Sequence, residues 1–190
     1  MAKKYYPIIV VFLVLFVDQF LKIWTKTNFH LGENIFDIGV LRFDFVENPG
    51  MAFGINFDFK YTKLILSLFR LFASFLIGFY LLKLLDKKTS PLLLICISLI
   101  LSGAIGNVID SVFYGIIYNN APYNAPFALF NGQVIDMFYI DIWEGYLSDW
   151  IPLLGGSYLS LWPVFNLADS YIFIGVAVLL LNQNKLKLDY

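Results

Sequence analysis

The sequence predicts an α-helical integral membrane protein: four transmembrane helices with a small extracytoplasmic β-sheet and an extended outer loop. Of its 190 residues, 59% are hydrophobic and 14% are charged, whereas soluble domains carry about 25% charged residues. Too little polar surface remains to face water, so a soluble globule is excluded. The length is that of one domain, and we expect a single membrane domain over residues 1–190.

Composition also narrows the possible chemistry. The net charge of −1 provides no basic surface, so no nucleic-acid partner is expected. His30 is the only histidine and Cys96 is the only cysteine, which excludes an HExxH motif and any multi-histidine metal site. An enzyme of this composition would work through carboxylates, lysines or hydroxyl groups, and we expect neither a metal nor a cofactor.

Four apolar segments approach the length of about 20 residues that a membrane span needs. They are residues 7–24, 63–82, 91–114 and 161–181. Lysines precede the first span, lie between the second and third, and follow the fourth, whereas residues 111–160 contain neither Lys nor Arg. The positive-inside rule then places both termini in the cytoplasm, with outer loops at residues 25–60 and 115–160.

The outer loops carry structure of their own. Leu41–Val46 alternates apolar and polar residues, as a half-buried strand does, and Asn56–Tyr61 repeats this pattern after a turn at Asn48–Gly50. We expect these two strands to form a small sheet on the outer membrane surface. The second outer loop is rich in Tyr, Trp, Pro and Asn, which favours a cap at the level of the lipid headgroups.

Three aspartates lie within the predicted spans, where a carboxylate is costly and often functional. Asp18, Asp110 and Asp169 all fall in the outer part of the bilayer when the spans alternate in direction. Their side chains are too short to reach the interface as a lysine does. A shared polar site therefore explains them better than scattered polar residues do.

Helical spacing brings further residues to these aspartates. Asn166, Asp169 and Ser170 share one face of the fourth span. Asp18 and Lys22 stand at i and i+4 and can form an ion pair, although snorkelling of the lysine explains its position equally well. In the third span, small and polar residues share a face on which another helix, including that of a substrate, can approach closely. This face consists of Gly103, Gly106, Asn107 and Asp110.

Neighbouring carboxylates suggest a specific reaction. Two close carboxylates cannot both ionise cheaply, so one keeps its proton. One then acts as general base on a water and the other as general acid on an amide, which is aspartic peptide hydrolysis. Three alternatives stay open: a proton-coupled transporter, a non-enzymatic adaptor that binds a partner through its outer loops, and a Ser–Lys peptidase that uses Lys22. The transporter lacks an acidic residue near the cytoplasmic end of any span.

Four segments of the chain carry a family resemblance. They are DQFLK at residues 18–22, NPGMAF at 48–53, SGAIGNVID at 102–110 and FNLADS at 165–170. Each alone is weak evidence. In this order along the four spans, they resemble the lipoprotein signal peptidase family, the bacterial signal peptidase II, over nearly the whole chain.

The resemblance implies an aspartic endopeptidase of the bacterial cytoplasmic (inner) membrane, with its active site toward the outer face. Its partners would be membrane lipid and prolipoproteins that carry a diacylglyceryl cysteine, and cleavage would fall just before that cysteine. One chain holds all four motifs, so a monomer is expected. The family's catalytic aspartates correspond to Asp169 and to Asp136. Supporting or substrate-binding roles fall on Asp18, Lys22, Asn48, Gly50, Gly103, Gly106, Asn107, Asp110, Asn166 and Ala168.

The chain departs from the family pattern directly after the third motif. Ser111 follows Asp110 where the family has arginine, so any ion pair or lipid contact of that arginine is lost or supplied elsewhere. Arg70, inside the second span, is one candidate to supply it. Arg70 can also bind a lipid phosphate or a carbonyl, or simply extend outward, and we expect the outward orientation.

The second departure is one of length. The interval between Asp110 and Asp136 is longer than in the family because of an inserted stretch at residues 118–133, and a further extension covers residues 141–158. Asp110 and, after it, Asp141 are therefore the alternatives to Asp136 as the second catalytic carboxyl group.

Overall fold

A computed structural model describes residues 2–50, 60–85, 87, 89–152, 155–156, 158–160 and 162–183. Its helices are α1 (Ala2–Asn28), α2 (Thr62–Leu85), α3 (Pro91–Ile109), which a π-helical turn (Asp110–Tyr114) joins to the short α4 (Gly115–Ile117), and α5 (Leu167–Leu181). Within the described residues, three helical segments are long and apolar enough to cross a membrane, and they contain the first three predicted spans. The predicted class, a helical membrane protein, agrees with this architecture.

The helix of the fourth predicted span, residues 161–181, starts later in the chain than the apolar pattern suggested. α5 starts at Leu167 and has 15 residues, because Asn166 has an extended backbone (φ −122°, ψ 178°) and caps the helix. The described residues from Trp162 to Asn166 lie outside the helix. Hydropathy does not register a capping residue, and this is why the predicted boundary needs correction.

α3 is the central helix and packs against α1, α2 and α5. Small residues allow this close packing: a Cβ atom on Gly103 would overlap the Ala168 carbonyl oxygen of α5, and one on Gly106 would lie 2.6 Å from an Asp18 carboxylate oxygen of α1. The predicted small-residue face therefore exists, but α5 and α1 occupy it. The expectation that a substrate helix approaches there is wrong.

Three antiparallel strands form the main sheet in the order β1 (Asn34–Asp37), β2 (Leu41–Asn48) and β3 (Val134–Ile140). β2 contains the strand predicted at 41–46. The second predicted strand, 56–61, falls largely outside the described residues, and β2 pairs instead with β3 from the second outer loop. β3 is almost continuously apolar and mostly buried, as expected for a strand that packs on both faces.

The first inserted stretch folds back on itself and returns the chain to the end of α3. Asn120 and Gln133 close it with hydrogen bonds from Gln133 N to Asn120 Oδ1 (3.1 Å) and from Gln133 Nε2 to Asn120 O (2.8 Å). Gly132 packs so tightly that a Cβ atom there would overlap the carbonyl oxygen of Asp110. The insertion therefore delivers Asp136 beside α3 despite the added chain length.

The second inserted stretch supplies one strand of a second sheet and leads into the other. β4 (Glu144–Tyr146) pairs antiparallel with β5 (Tyr158–Ser160). The hydroxyl of Tyr139, in β3, donates a hydrogen bond to Glu144 Oε2 (2.8 Å) and lies 3.2 Å from Ser160 Oγ. The two sheets are thus tied together through one tyrosine.

The close contact of α3 with α5 can be tested with a pair of glycine variants. Gly103→Ala should lower the free energy of unfolding by about 1–3 kcal/mol, because the new methyl group has to displace the backbone of α5. Gly78→Ala in α2 is the control, since its Cβ atom would meet only Leu101 side-chain atoms at 3.7 and 3.9 Å and alanine favours helix. Thermal unfolding in detergent, followed by circular dichroism, measures both. Equal Tm values would contradict the packing described.

Candidate active site

Asp136 in β3 and Asp169 in the first turn of α5 line one cavity of about 640 Å³. Three further residues line the same cavity: Asn48, which ends β2, Gly50, which follows this strand, and Asn107 of α3. The fold thus brings together residues from three of the four motifs and from the β3 segment that the family resemblance indicated. The catalytic roles of the two aspartates stay predictions at this point.

The first turn of α5 is fixed from two sides. Asn166 Oδ1 accepts a hydrogen bond from Asp169 N (3.0 Å), and Asp169 Oδ2 accepts one from Asn166 N (3.4 Å), which forms a capping box. Asp18 of α1 accepts a hydrogen bond from Ala168 N (2.9 Å), and its negative charge is favourable at a helix N-terminus. Because Ala168 is fully buried against α3, the Asp169 backbone has little freedom to move.

Asn107 connects the Asp169 carboxylate to a buried lysine. Its Nδ2 donates to Asp169 Oδ1 (2.8 Å), while its Oδ1 accepts from Lys22 Nζ (3.0 Å) and from Asn166 Nδ2 (3.3 Å). A lysine ammonium group can only donate hydrogen bonds. The orientation of the Asn107 amide is therefore fixed, and its nitrogen has to face Asp169.

Asp136 accepts hydrogen bonds on both of its carboxylate oxygens. Asn166 Nδ2 donates to Oδ1 (2.6 Å), and Asn48 Nδ2 donates to Oδ2 (2.9 Å). Asn48 is oriented by the turn after β2, because its Oδ1 accepts from Gly50 N (2.7 Å). Gly50 has a φ of +97°, which residues with a side chain rarely adopt, so this turn depends on glycine.

Lys22 is fully buried, so the interpretation that it snorkels to the interface is wrong. Its Nζ lies 3.1 Å from Asp18 Oδ2, the i, i+4 pair that the sequence indicated, and 2.8 Å from Asp110 Oδ2. Two carboxylates and the Asn107 oxygen therefore surround one ammonium group and replace its lost hydration. This polar cluster joins α1 to α3.

Gln19 belongs to the same polar cluster but was not predicted as a site residue. Its Nε2 lies 2.9 Å from Asp110 Oδ1 and 3.2 Å from Asp18 Oδ2. Its Oε1 accepts a hydrogen bond from the Tyr114 hydroxyl (3.0 Å). The signal that could have identified it is an amide next to an aspartate inside an otherwise apolar span.

The electrostatic surroundings of Asp136 favour its protonated form. The net effect raises the pKa of the Asp136 carboxyl group to about 7, mainly through burial and further through the negative charge of Asp169. Hydrogen bonds from Asn48 and Asn166 lower this pKa, as does the positive charge of Lys22, and they offset the increase only in part. Near neutral pH, Asp136 can therefore both hold and release a proton, as a general acid or base must.

The two alternative acidic residues lie elsewhere. Asp110 is fully buried beside Lys22, and an Asp141 carboxylate oxygen lies 3.6 Å from Arg42 Nη1. Neither is among the described residues that line the cavity. Of the three candidates, Asp136 is the one placed in the same cavity as Asp169.

Arg70 lines the cavity, which corrects the outward orientation expected from the sequence. Its Nη1 donates a hydrogen bond to Ser111 Oγ (3.1 Å), and Ser111 Oγ in turn donates to the Asn107 carbonyl oxygen (2.8 Å). A guanidinium group from α2 thus stands beside the position at which the family resemblance implies an arginine.

The fold has counterparts among solved structures. A bacterial membrane enzyme, determined by the in meso method, aligns with a TM-score of 0.64 and 23% identity over 95% of this chain and 93% of that chain. A second structure of the same description aligns with a TM-score of 0.62 and 24% identity. These matches establish a shared fold.

Sequence comparisons give the family. Residues 10–184 match the family model for signal peptidase II. Lipoprotein signal peptidases of Amoebophilus asiaticus and Porphyromonas gingivalis are 46% and 44% identical to this chain, cover 95% and 88% of it, and are themselves covered over 77% and 78% of their lengths. The chain belongs to the signal peptidase II family. The resemblance and the predicted function, a membrane peptidase that cleaves signal peptides from lipoproteins, are confirmed.

The buried ammonium group can be tested by comparing two lysines of α1. Lys22→Met leaves Asp18 and Asp110 close together without the cation between them, and we expect a loss of about 3–5 kcal/mol in the free energy of unfolding. Lys26→Met is the comparison and should lower stability less, because the Lys26 side chain is 20% exposed and its removal leaves one carboxylate, that of Glu47, without its cation, whereas Lys22→Met leaves two fully buried ones. Chemical unfolding in detergent measures both losses.

A double variant separates charge repulsion from simple loss of packing. Lys22→Met combined with Asp110→Asn removes one of the two like charges, so part of the lost stability should return. Equal stability of the two single lysine variants, or a double variant less stable than Lys22→Met alone, would contradict the charge arrangement.

Proposed function

We propose that this protein is an aspartic endopeptidase that removes the signal peptide from diacylglyceryl-modified prolipoproteins and cuts just before the lipidated cysteine. Asp136 and Asp169 are the catalytic pair in this proposal. The observation that carries it is that both carboxylates line one cavity and both contact Asn166. Family membership supports the substrate class, and the paired carboxylates support the reaction type.

The mechanism requires the two carboxyl groups to differ in protonation. Asp136, whose pKa is raised to about 7, carries the proton, and the partner carboxylate of Asp169 is ionised. The ionised group takes a proton from a water whose oxygen attacks the scissile carbonyl carbon, and Asp136 protonates the carbonyl oxygen. In the resulting diol, the carbon–nitrogen bond breaks as Asp169 returns its proton to the leaving nitrogen and a hydroxyl proton returns to Asp136.

The supporting residues hold the two catalytic carboxylates in place. Asn107 and Asn166 hold the two carboxylates through their amide groups, and Lys22, with its two carboxylate partners, fixes Asn107. Water-excluding surroundings strengthen such polar contacts. Replacing these residues is therefore expected to impair the reaction without removing a group that takes part in proton transfer.

The proposed setting is the bacterial inner membrane. We place both termini in the cytoplasm, four spans including α5 across the bilayer, and the cavity toward the outer face. A lipidated substrate then reaches the aspartates laterally, so its acyl chains stay in hydrocarbon rather than passing through water. All proposed site residues come from one chain, which makes a monomer sufficient.

Cleavage of a purified substrate tests the proposed function. The purified protein in detergent should cut a diacylglyceryl-modified prolipoprotein in the presence of EDTA, because two carboxylates and a water suffice. The same prolipoprotein without the lipid should be cut far more slowly. Loss of activity in EDTA that Zn²⁺ restores would contradict the aspartic mechanism, and equal rates for both substrates would contradict lateral access.

The catalytic pair is tested by a series of Asp→Asn variants. Changing Asp136 or Asp169 should each lower kcat by at least about 10³-fold, in the range expected for lost general acid–base catalysis. The double variant should lose little more, because the two groups act as a unit. Asp141→Asn is the control and should be mild. Near-normal turnover in Asp136→Asn together with an inactive, folded Asp110→Asn would instead assign the pair to Asp110 and Asp169.

The pH dependence of cleavage reports on Asp136. The value of kcat/KM should fall as the pH rises through about 7, because Asp136 then loses its proton. Asn48→Ala removes a hydrogen bond to the carboxylate, so the pKa should rise and the alkaline limb should move to higher pH. Asn34→Ala is the control, since Asn34 donates to Asp44 (2.6 Å) in the same sheet. An unchanged limb in Asn48→Ala would contradict the assignment.

A further inference from the structure

The face of α2 that contributes Arg70 to the cavity carries polar residues that the proposed mechanism does not use. Lys63, Ser67, Arg70 and Ser74 stand at i, i+4, i+7 and i+11, on one side of an otherwise apolar segment. Ser67 donates to the Lys63 carbonyl oxygen (2.9 Å) and Ser74 to that of Arg70 (2.8 Å). The hydroxyl groups are therefore satisfied within α2, whereas the two cationic groups extend away from it.

Lys63 is a buried amine that has no hydrogen-bond acceptor in the described parts of the chain. Its exposure is 6%, and its Nζ has no hydrogen-bond partner among the residues that the structure describes. Lys63 is not among the described residues that line the cavity, but its Nζ lies 3.6 Å from the place where a Cβ atom of Gly50 would stand, and Gly50 lines the cavity. Burying a charge without a partner is unfavourable, so an oxygen acceptor bound on this side would stabilise it.

Arg70 also has donors to spare. Its one hydrogen bond with a described side chain joins Nη1 to Ser111 Oγ, and no carboxylate in the described parts of the chain lies within ion-pair distance of it. A guanidinium group presents several further N–H donors in a planar fork. These donors border the same cavity as the two aspartates.

Several other residues that line the cavity are apolar. Trp162 and Val164 precede α5, and Phe173 and Ile174 belong to it; all four line the cavity. A ligand that suits this lining therefore combines oxygen acceptors with hydrocarbon. An acylated glycerol has this character.

The spacing of Arg70 from the aspartates fits such a ligand. Ser111, which contacts Arg70, lies one turn of helix beyond Asn107, roughly 6 Å along the axis, and Asn107 holds Asp169. In a diacylglyceryl cysteine, about seven bonds separate the Cα atom from the nearest ester carbonyl oxygen, which gives it a reach of up to roughly 8 Å. The ester groups can therefore reach Arg70 while the bond before the cysteine lies at the aspartates.

We propose that Lys63 and Arg70 bind the ester carbonyl oxygens of the substrate's diacylglyceryl group and so determine recognition of the lipidated cysteine. This inference rests on the proposed function. Carbonyl oxygens accept hydrogen bonds, and those from charged donors are stronger than neutral ones. Lys63 and Arg70 are thus specificity-determining residues that touch the lipid and take no part in proton transfer.

The test compares two substrates with the same peptide. One carries the diacylglyceryl ester, and the other a dialkyl ether of equal chain length that lacks the ester carbonyl groups. We expect wild-type protein in detergent to favour the diester about 10-fold in kcat/KM, as for a hydrogen bond to a charged group. Arg70→Gln and Lys63→Gln should each reduce this preference at least about threefold, by lowering kcat/KM for the diester alone. Lys83→Gln is the matched control, because Lys83 is exposed on α2 above the Phe79 ring (4.5 Å).

Two results would overturn the inference. If wild-type protein cleaves the diester and the diether with equal kcat/KM, the inference is wrong. The proposed peptidase function is then still intact. The inference is also wrong if a glutamine variant lowers cleavage of both substrates equally, because the replaced cation then acts on something other than the ester groups. Failure of wild-type protein to cleave either substrate would overturn the proposed function itself.

Discussion

Burying the Lys22 ammonium group inside a membrane span is unfavourable unless acceptors replace its hydration. Asp18, Asp110 and Asn107 supply these acceptors from α1 and α3. Because Asn107 has to turn its oxygen toward Lys22, its nitrogen faces Asp169. The neutralisation of the buried Lys22 cation therefore helps to determine the position of the Asp169 carboxylate, one member of the proposed pair.

The second carboxylate comes from the sheet rather than from a span. β3 pairs with β2 so that Asp136 lies opposite Val46, and a single bridge between Phe138 and Phe165 joins β3 to the segment before α5. Asn166, which caps α5, then donates a hydrogen bond to Asp136. The residue that starts the helix thus also joins the helix to the sheet, so folding of this region and assembly of the site depend on the same contacts.

Local patterns in the sequence predicted local features of the structure. The i, i+4 spacing predicted the pair of Asp18 with Lys22, and alternation of residue types predicted β2. Contacts between distant segments could not be derived in this way: the pairing of β2 with β3, and the packing of Ala168 on the Gly103 face, depend on where the loops return the chain. The start of α5 was missed because hydropathy does not register the capping side chain of Asn166. Asp136 was identified through the family resemblance and not by spacing.

A proton held by the pair of Asp136 and Asp169 can be measured directly by infrared titration of the carboxyl C=O stretch in purified protein. The band of a protonated carboxyl group should disappear as the pH rises through about 7. The component that titrates near pH 7 should be absent from Asp136→Asn and unchanged in Asp141→Asn, whose altered side chain lies near Arg42. A component of the band that still disappears near pH 7 in Asp136→Asn, or wild-type protein with no component that titrates near pH 7, would contradict the paired-carboxylate mechanism.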